Sequence, residues 1–325
     1  MANGHEGRSC PLHYRYRPEQ LRVPAENWAA DVVYVAGGLY GNVRALDTLE
    51  ALVASDRAAG LRVRLLFNGD FNWFNADVGL FEEINRRVLA YDAMLGNVEY
   101  ELAHPSDGAG CGCAYPDFVD DQVVARSNRI MDRLQRVASQ HPPIRQALGE
   151  LPRWRSLILG GLKVLVVHGD PESLAGWGLA HEYLEAGSDE QLVDWFRRTD
   201  ADVMVSSHTC LPALWSATVD GRPRCLLNNG SAGMGNVRAD SRGLVARLAH
   251  GAGFGQSVPG SLARRVQGPL EISLVPLAFD TAAWLTQFDR IWPAGSDAAE
   301  SYRDRIQHGT RLGPDELVFE GPQSA

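Results

Sequence analysis

The apolar positions of this chain fall into short runs rich in valine and leucine, several ending at glycine, aspartate or histidine, with segments of helical spacing between them. DVVYVAGG (31–38) and RVRLLFNGD (62–70) read as buried strands. Between them, ALDTLEALVAS (45–55) repeats its apolar residues at the three-to-four spacing of an amphipathic helix. FEEINRRVLAYDAML (81–95) predicts a second helix. Strand, helix, strand, helix in succession implies a largely parallel sheet covered by helices. FVDDQVVARSNRIMDRLQRVASQ (118–140) predicts a long amphipathic helix closed by Pro142 and Pro143, and DEQLVDWFRRTD (189–200) a shorter one. WRSLILGGLKVLVVHGD (154–170) and TVDGRPRCLLNNGS (218–231) predict hairpins, turning at a glycine pair and at Asp220-Gly221. DVMVSSHT (202–209) and LEISLVPLAFD (270–280) read as further strands, and LAHPSDGAGCGCAYP (102–116) as a turn-rich loop.

With no internal repeat and no low-complexity linker, the simplest partition is one domain over 28–310. It is preceded by an irregular extension, 1–27, with proline breaks at Pro18 and Pro24, and followed by a tail, 311–325. A chain of 325 residues, 45% of them hydrophobic, can bury a full core without disulfide or metal staples. The formal charge of -9, with basic residues scattered, argues against a nucleic-acid stripe or a polybasic membrane patch. A small anionic substrate then has to be drawn in by a metal or a few arginines. No apolar stretch reaches membrane-spanning length and the N-terminus lacks a signal-peptide core, so a cytoplasmic location is expected. Five cysteines form no even framework and read as thiols or ligands.

Asp70, Asn97, His168 and His208 each follow a predicted strand or lie close to one. Open α/β sheets gather ligands at the carboxyl ends of their strands, so these residues can meet despite their distance in sequence. Any one alone is an ordinary turn residue. Together, two imidazoles, a carboxylate and an amide oxygen suit zinc, manganese or iron better than calcium.

The strings GLYGNVRAL (38–46), FNGD (67–70), LGNVE (95–99), VVHGD (166–170), SSHT (206–209) and NNGS (228–231) resemble the calcineurin-like metallophosphoesterases, small bacterial type, in order and spacing. The resemblance covers roughly 30–235. It implies a four-layer α/β/β/α sandwich of two mixed sheets, with a phosphate ester bound between two adjacent metals. The ligands of one metal correspond to Asp70, Asn97, His168 and His208, all present. At the other metal, Gly38 and Tyr40 stand for an aspartate and a histidine of the opening motif, and Cys210 for a terminal histidine. Val98 replaces the histidine that assists the phosphoryl oxygens or leaving group. The resemblance thus implies hydrolysis of a small phosphate ester at an atypical site with one or two divalent transition-metal ions. Two alternatives stand beside it: a degenerate member that binds a ligand or partner, and a redox or thiol-dependent reaction at iron.

Cys111 and Cys113 flank Gly112 in the loop that follows. With Cys210 they can rebuild the dismantled metal position; one can serve as a nucleophile; or they simply pack. Tyr40 reads as a neutral hydrogen-bond donor to phosphate. Arg126 and Arg129 share a helix that can reach an anionic substrate or lie solvated. His104 is a candidate substitute acid, Tyr115 a stacking or anchoring residue, and Asn42 and Asn229 turn residues. The tryptophans at 154, 177, 195 and 215 read as packing.

Overall fold

In the computed structural model, which describes residues 6–22, 25–187, 189–256 and 258–323, the first two apolar runs are neighbouring parallel strands. Pro24 and the outermost residues of the extension and of the tail lie outside the described residues. After the short edge strand β1 (Glu26–Asn27) come β2 (Val32–Ala36), α1 (Val43–Ala58) and β3 (Val63–Phe67). Every residue of β2 is buried, as expected for a strand covered on both faces. The Asn42 side chain caps α1 by accepting the Ala45 N–H at 3.0 Å, so this turn residue is also a helix start.

α2 (Val78–Val88) stops earlier than its apolar pattern predicts. The residues beyond it form β4 (Asp92–Ala93), paired with β3 and held by the two-pronged Arg64–Asp92 ion pair. α3 (Asn97–Ala103) occupies the start of the predicted loop, followed by α4 (Asp121–Ala138). Pro142 and Pro143, read as a stop, open α5 (Pro142–Gly149), because a fixed φ and a missing N–H suit a first helical turn.

The predicted hairpins form from β5 (Trp154–Leu159) with β6 (Leu162–Val167), and from β8 (Ala213–Val219) with β9 (Arg222–Asn228). Between them lie α6 (His181–Glu185), α7 (Asp189–Thr199) and β7 (Val203–Ser206). β10 (Gly243–Ala249) and β11 (Ala263–Gln267), which precede β12 (Leu270–Leu277), are not legible in the sequence. Arg247 interrupts the apolar run of β10, yet it is buried opposite Glu271 at 3.9 Å, so its charge hides a core strand. The chain closes with α8 (Thr281–Ile291), α9 (Asp297–His308) and β13 (Val318–Gln323).

Two sheets result, of orders β1-β5-β6-β7-β9-β8-β13 and β11-β12-β10-β2-β3-β4. Their inner faces meet through Val33, Val35, Leu66, Val164, Val166, Val205 and Leu227. The outer face of the six-stranded sheet is covered by Phe81, Trp284, Phe288 and Ile306 of the flanking helices, and that of the seven-stranded sheet by Leu184, Trp195 and Phe196. Each such fully buried side chain contributes about 1.5–3 kcal/mol of hydrophobic stabilisation. The fold is the four-layer α/β/β/α sandwich.

The chain ends differ from their sequence reading. The segment read as a tail supplies β13, which runs parallel to β8. The extension is irregular, but Tyr14, Tyr16 and Leu21 are buried, and the Tyr14 hydroxyl donates to Glu101 at 2.6 Å. Among the described residues no helix is long and apolar enough to cross a membrane.

Candidate metal centre

β3, β6 and β7 end on one rim of the sandwich, and the turns beyond them deliver Asp70, His168 and His208, while Asn97 opens α3 just after β4. The approach is close. A side chain on Gly69, at φ 99°, would come within 2.6 Å of both the Gly96 backbone and the His168 ring, so glycine alone fits there.

His168 Nε2 lies 3.1 Å from Asn97 Oδ1, 3.2 Å from His208 Nδ1 and 3.3 Å from Asp70 Oδ1. The second nitrogen of each ring is committed to a backbone carbonyl. His168 Nδ1 donates to Asn68 O at 2.8 Å, and His208 Nε2 to Cys113 O at 3.0 Å. The Asn97 amide nitrogen donates to Cys111 O at 3.1 Å, which turns its oxygen inward. With both imidazoles neutral, two ring lone pairs, a carboxylate oxygen and an amide oxygen face one another, and the Asp70 oxygen also accepts the Val98 N–H at 3.3 Å. A cation at this point would satisfy these acceptors together. Bond lengths of about 2.0–2.2 Å to a transition metal place adjacent ligand atoms roughly 3.0–3.5 Å apart, the spacing found around His168. The donor set fits one ion, and the ligand atoms of Asp70, His168 and His208 all lie within 4.8 Å of one another.

Without an ion, the three titratable groups act on one another. Burial, then the charge of His168, push His208 down to about 4, keeping it neutral. Burial opposes the Asp70 carboxylate, but His168 beside it reverses the effect and holds its pKa below the usual value. For His168 burial works downward, and Asp70 outweighs it and leaves the ring more basic than usual.

Glu99 supports this arrangement and was missed in the sequence. Fully buried, it accepts the backbone N–H groups of Asp70 (2.7 Å), Asn72 (3.1 Å) and Gly96 (3.1 Å). It thereby fixes Asp70 at φ 56°, a left-handed conformation that a branched-out loop would not keep. Burial and then the Asp70 charge push Glu99 up to about 7. Its available signal was position: third residue of a helix that starts at a glycine, where an acid reaches back to the first N–H.

The opposite wall is built differently. A Cβ on Gly38 would fall 2.9 Å from Tyr40 Cζ, so the Tyr40 ring occupies the space into which a residue-38 side chain would project. The Tyr40 hydroxyl is hydrogen-bonded to Cys210 Sγ, and that thiol also meets the His208 carbonyl at 3.1 Å. Burial raises Tyr40 well above its usual pKa and Cys210 to about 11, so both stay protonated. Arg305 of α9, unforeseen from the sequence, donates to Cys210 O at 2.6 Å and Gly235 O at 3.0 Å. Tyr40, Trp73, Val98, Tyr115, Trp177, Tyr302 and Arg305 line a cavity of about 210 Å³ over Asp70, Asn97 and His208.

Other expectations fare unequally. Cys111, Cys113 and Cys210 form no metal-holding group among the described residues. Cys111 is fully buried in the core and its carbonyl serves Asn97. Cys113 lines the cavity with its sulfur 3.7 Å from the Asn97 amide nitrogen, and burial raises its pKa well above the usual value, which disfavours a thiolate nucleophile. Arg126 and Arg129 turn away from the cavity to Ser301 and Asp297 of α9, at 2.7 and 2.9 Å, because their helix face packs on α9. His104 is exposed and stacks edge-on against Tyr100. Asn229 ties Val35 O to Asn68 Oδ1, a framework role. Trp177, read as packing, instead sits edge-on to His208, ring centroids 5.6 Å apart.

No protein-family model matches the chain, and neither does any curated protein. Solved structures do. A hypothetical protein from Pyrococcus horikoshii OT3 aligns with a TM-score of 0.56 at 14% identity, covering 86% of this chain and 99% of that one. A metallophosphoesterase from Sphaerobacter thermophilus aligns with a TM-score of 0.53 at 17% identity, covering 88% and 100% respectively. At such identities the likeness is one of fold, and the fold is that of a metallophosphoesterase.

Proposed function

We propose that this chain, carrying the metallophosphoesterase fold, hydrolyses phosphate esters with a single divalent transition-metal ion held by Asp70, Asn97, His168 and His208. One observation carries the reading: four electron-pair donors converge, and both imidazoles have their other nitrogen tied to a backbone carbonyl. Zinc, manganese and iron all suit this donor set. An ion bound there polarises an ester oxygen or lowers the pKa of a water.

The chain supplies the rest. Arg305 offers the phosphoryl oxygens a positive charge from the wall opposite the acceptors, and the Tyr40 hydroxyl, donating to Cys210, holds that wall in place. Burial keeps Tyr40, Tyr115 and Cys210 protonated, so this wall donates hydrogen bonds and takes up no proton. Trp73, Trp177 and Tyr302 screen the cavity from water, which strengthens each polar contact inside it. Val98 stands where an imidazole would meet the leaving group, so the departing oxygen receives little help from a general acid.

Turnover should therefore fall steeply as the leaving alcohol becomes more basic. The test is metal analysis of the purified protein together with hydrolysis of p-nitrophenyl phosphate and of an alkyl phosphate. One equivalent of ion and a strong preference for the aryl ester are expected. A protein holding its full equivalent but cleaving neither ester overturns the hydrolase reading. It would favour a metal-containing binding protein, a reading also supported by Gly38, Tyr40, Val98 and Cys210 standing where the resembling family has an aspartate and histidines.

A further inference from the structure

A wider groove of about 750 Å³ opens between the N-terminal extension, the cysteine loop and the turn after β6. It shares Tyr115 and Trp177 with the inner cavity. Trp177 is half-buried, with its indole N–H held by Cys113 O at 2.9 Å. Its ring meets His208 on the inner side, and Tyr115 (5.8 Å) and Phe118 (6.2 Å) on the others. Phe118 is 59% exposed, a high value for phenylalanine, so aromatic surface runs from a ligand imidazole out to solvent.

Charge points the same way. Arg8 and Arg198 in the groove are committed, Arg8 to Pro116 O, Val119 O and Asp121, and Arg198 to Glu19, Glu172 and Asp194. Arg15 and Arg17 are not: neither guanidinium has a hydrogen bond or ion pair among the described residues, in a chain where most arginines pair. Glu19, held by Arg198, also feels the charge of Arg17, and the acids that line the groove add little to it. Glu172 is taken by Arg198, and Asp170 is buried and accepts the backbone N–H groups of Glu172, Ser173 and Gly178, leaving Asp117. The backbone carrying both arginines is fixed, since Tyr16 N–H donates to Glu172 O at 3.0 Å and its hydroxyl to Asp170 O at 2.9 Å.

We propose that this groove is the leaving-group subsite of the metal centre, shaped for a phosphate ester whose organic part carries a flat ring and a second negative charge. The ring lies along Trp177 and Phe118, and the second anion meets Arg15 and Arg17. The proposal rests on the phosphoesterase reading for the identity of the inner group, and gives the N-terminal extension a role in substrate choice.

Calorimetric binding to the full-length, metal-loaded protein tests it, with adenosine 3′,5′-bisphosphate, adenosine 5′-phosphate and glycerol 3-phosphate as probes. The bisphosphate should bind at least about tenfold tighter than glycerol 3-phosphate, the monophosphate falling between. Arg15→Gln with Arg17→Gln should cost the bisphosphate about tenfold and glycerol 3-phosphate less than about twofold. Phe118→Ala, at an exposed position that folding does not need, should weaken both adenine probes about fivefold and spare glycerol 3-phosphate. Equal affinity for all three probes, equal weakening of all three by the arginine pair, or no binding of the bisphosphate overturns the subsite. These readings need no turnover, so a protein that shows the affinity pattern but cleaves no ester defeats the hydrolase reading alone.

Discussion

The two walls of the cavity solve the problem of buried polarity in opposite ways. On one, Asp70, Asn97 and His208 bring acceptors to within 3.1–3.3 Å of His168 Nε2. On the other, Tyr40, Cys210 and Arg305 are donors, bonded to one another or to backbone carbonyls. Buried polar groups have to be satisfied, so the first wall calls for a cation and the second is complete without one. One cavity thus sets a cluster of acceptors against a wall whose space is filled by the Tyr40 ring and whose polar groups are met by hydrogen bonds.

That contrast is open to direct attack, starting where the effect is largest. His168→Ala should abolish bound metal and lower ester hydrolysis by about a thousandfold or more, read by elemental analysis and steady-state kinetics. Hydrolysis persisting without the ion would erase the distinction between the walls. Arg305→Lys keeps the charge but loses the planar fork, and should lower kcat/KM by about ten- to a hundredfold with metal content unchanged. A loss of metal in that variant would mean that the donor wall also holds the ion.

Smaller effects sharpen the picture. Glu99→Gln sets an amide NH2 against backbone N–H donors, and should weaken metal affinity about tenfold, measured by chelator competition, without changing the number of ions. Cys111→Ser with Cys113→Ser should leave metal stoichiometry at one and shift kcat by less than about twofold, since neither thiol joins the acceptor wall. A fall from two equivalents to one in that double variant would restore a cysteine-built second position.

The acceptor wall was the legible one. Asp70, His168 and His208 stand just past apolar strands that periodicity located, whereas β4 was hidden in a helical pattern and Asn97 was found through the LGNVE string of the resemblance. The donor wall was illegible because its parts come from everywhere. Arg305 sits in a charged stretch to which the sequence assigns no element or role, and only packing of α9 on α4 brings it over the cavity. The same packing consumed Arg126, which is why a helix-face argument chose the wrong arginine. Elsewhere local signals were ambiguous in themselves: Pro142 and Pro143 mark a helix start as readily as a stop, and the buried Arg247 made β10 look polar.

All four acceptors lie before residue 210, whereas the guanidinium arrives on α9, whose helix spans Asp297–His308. Under the proposed function, holding the ion and gripping the anion fall to separate stretches of the polypeptide. A substitution at Arg305 can therefore alter the donor wall while the four acceptors stay as they are, whereas replacing α9 whole would also strip the core of Ala298 and Ile306.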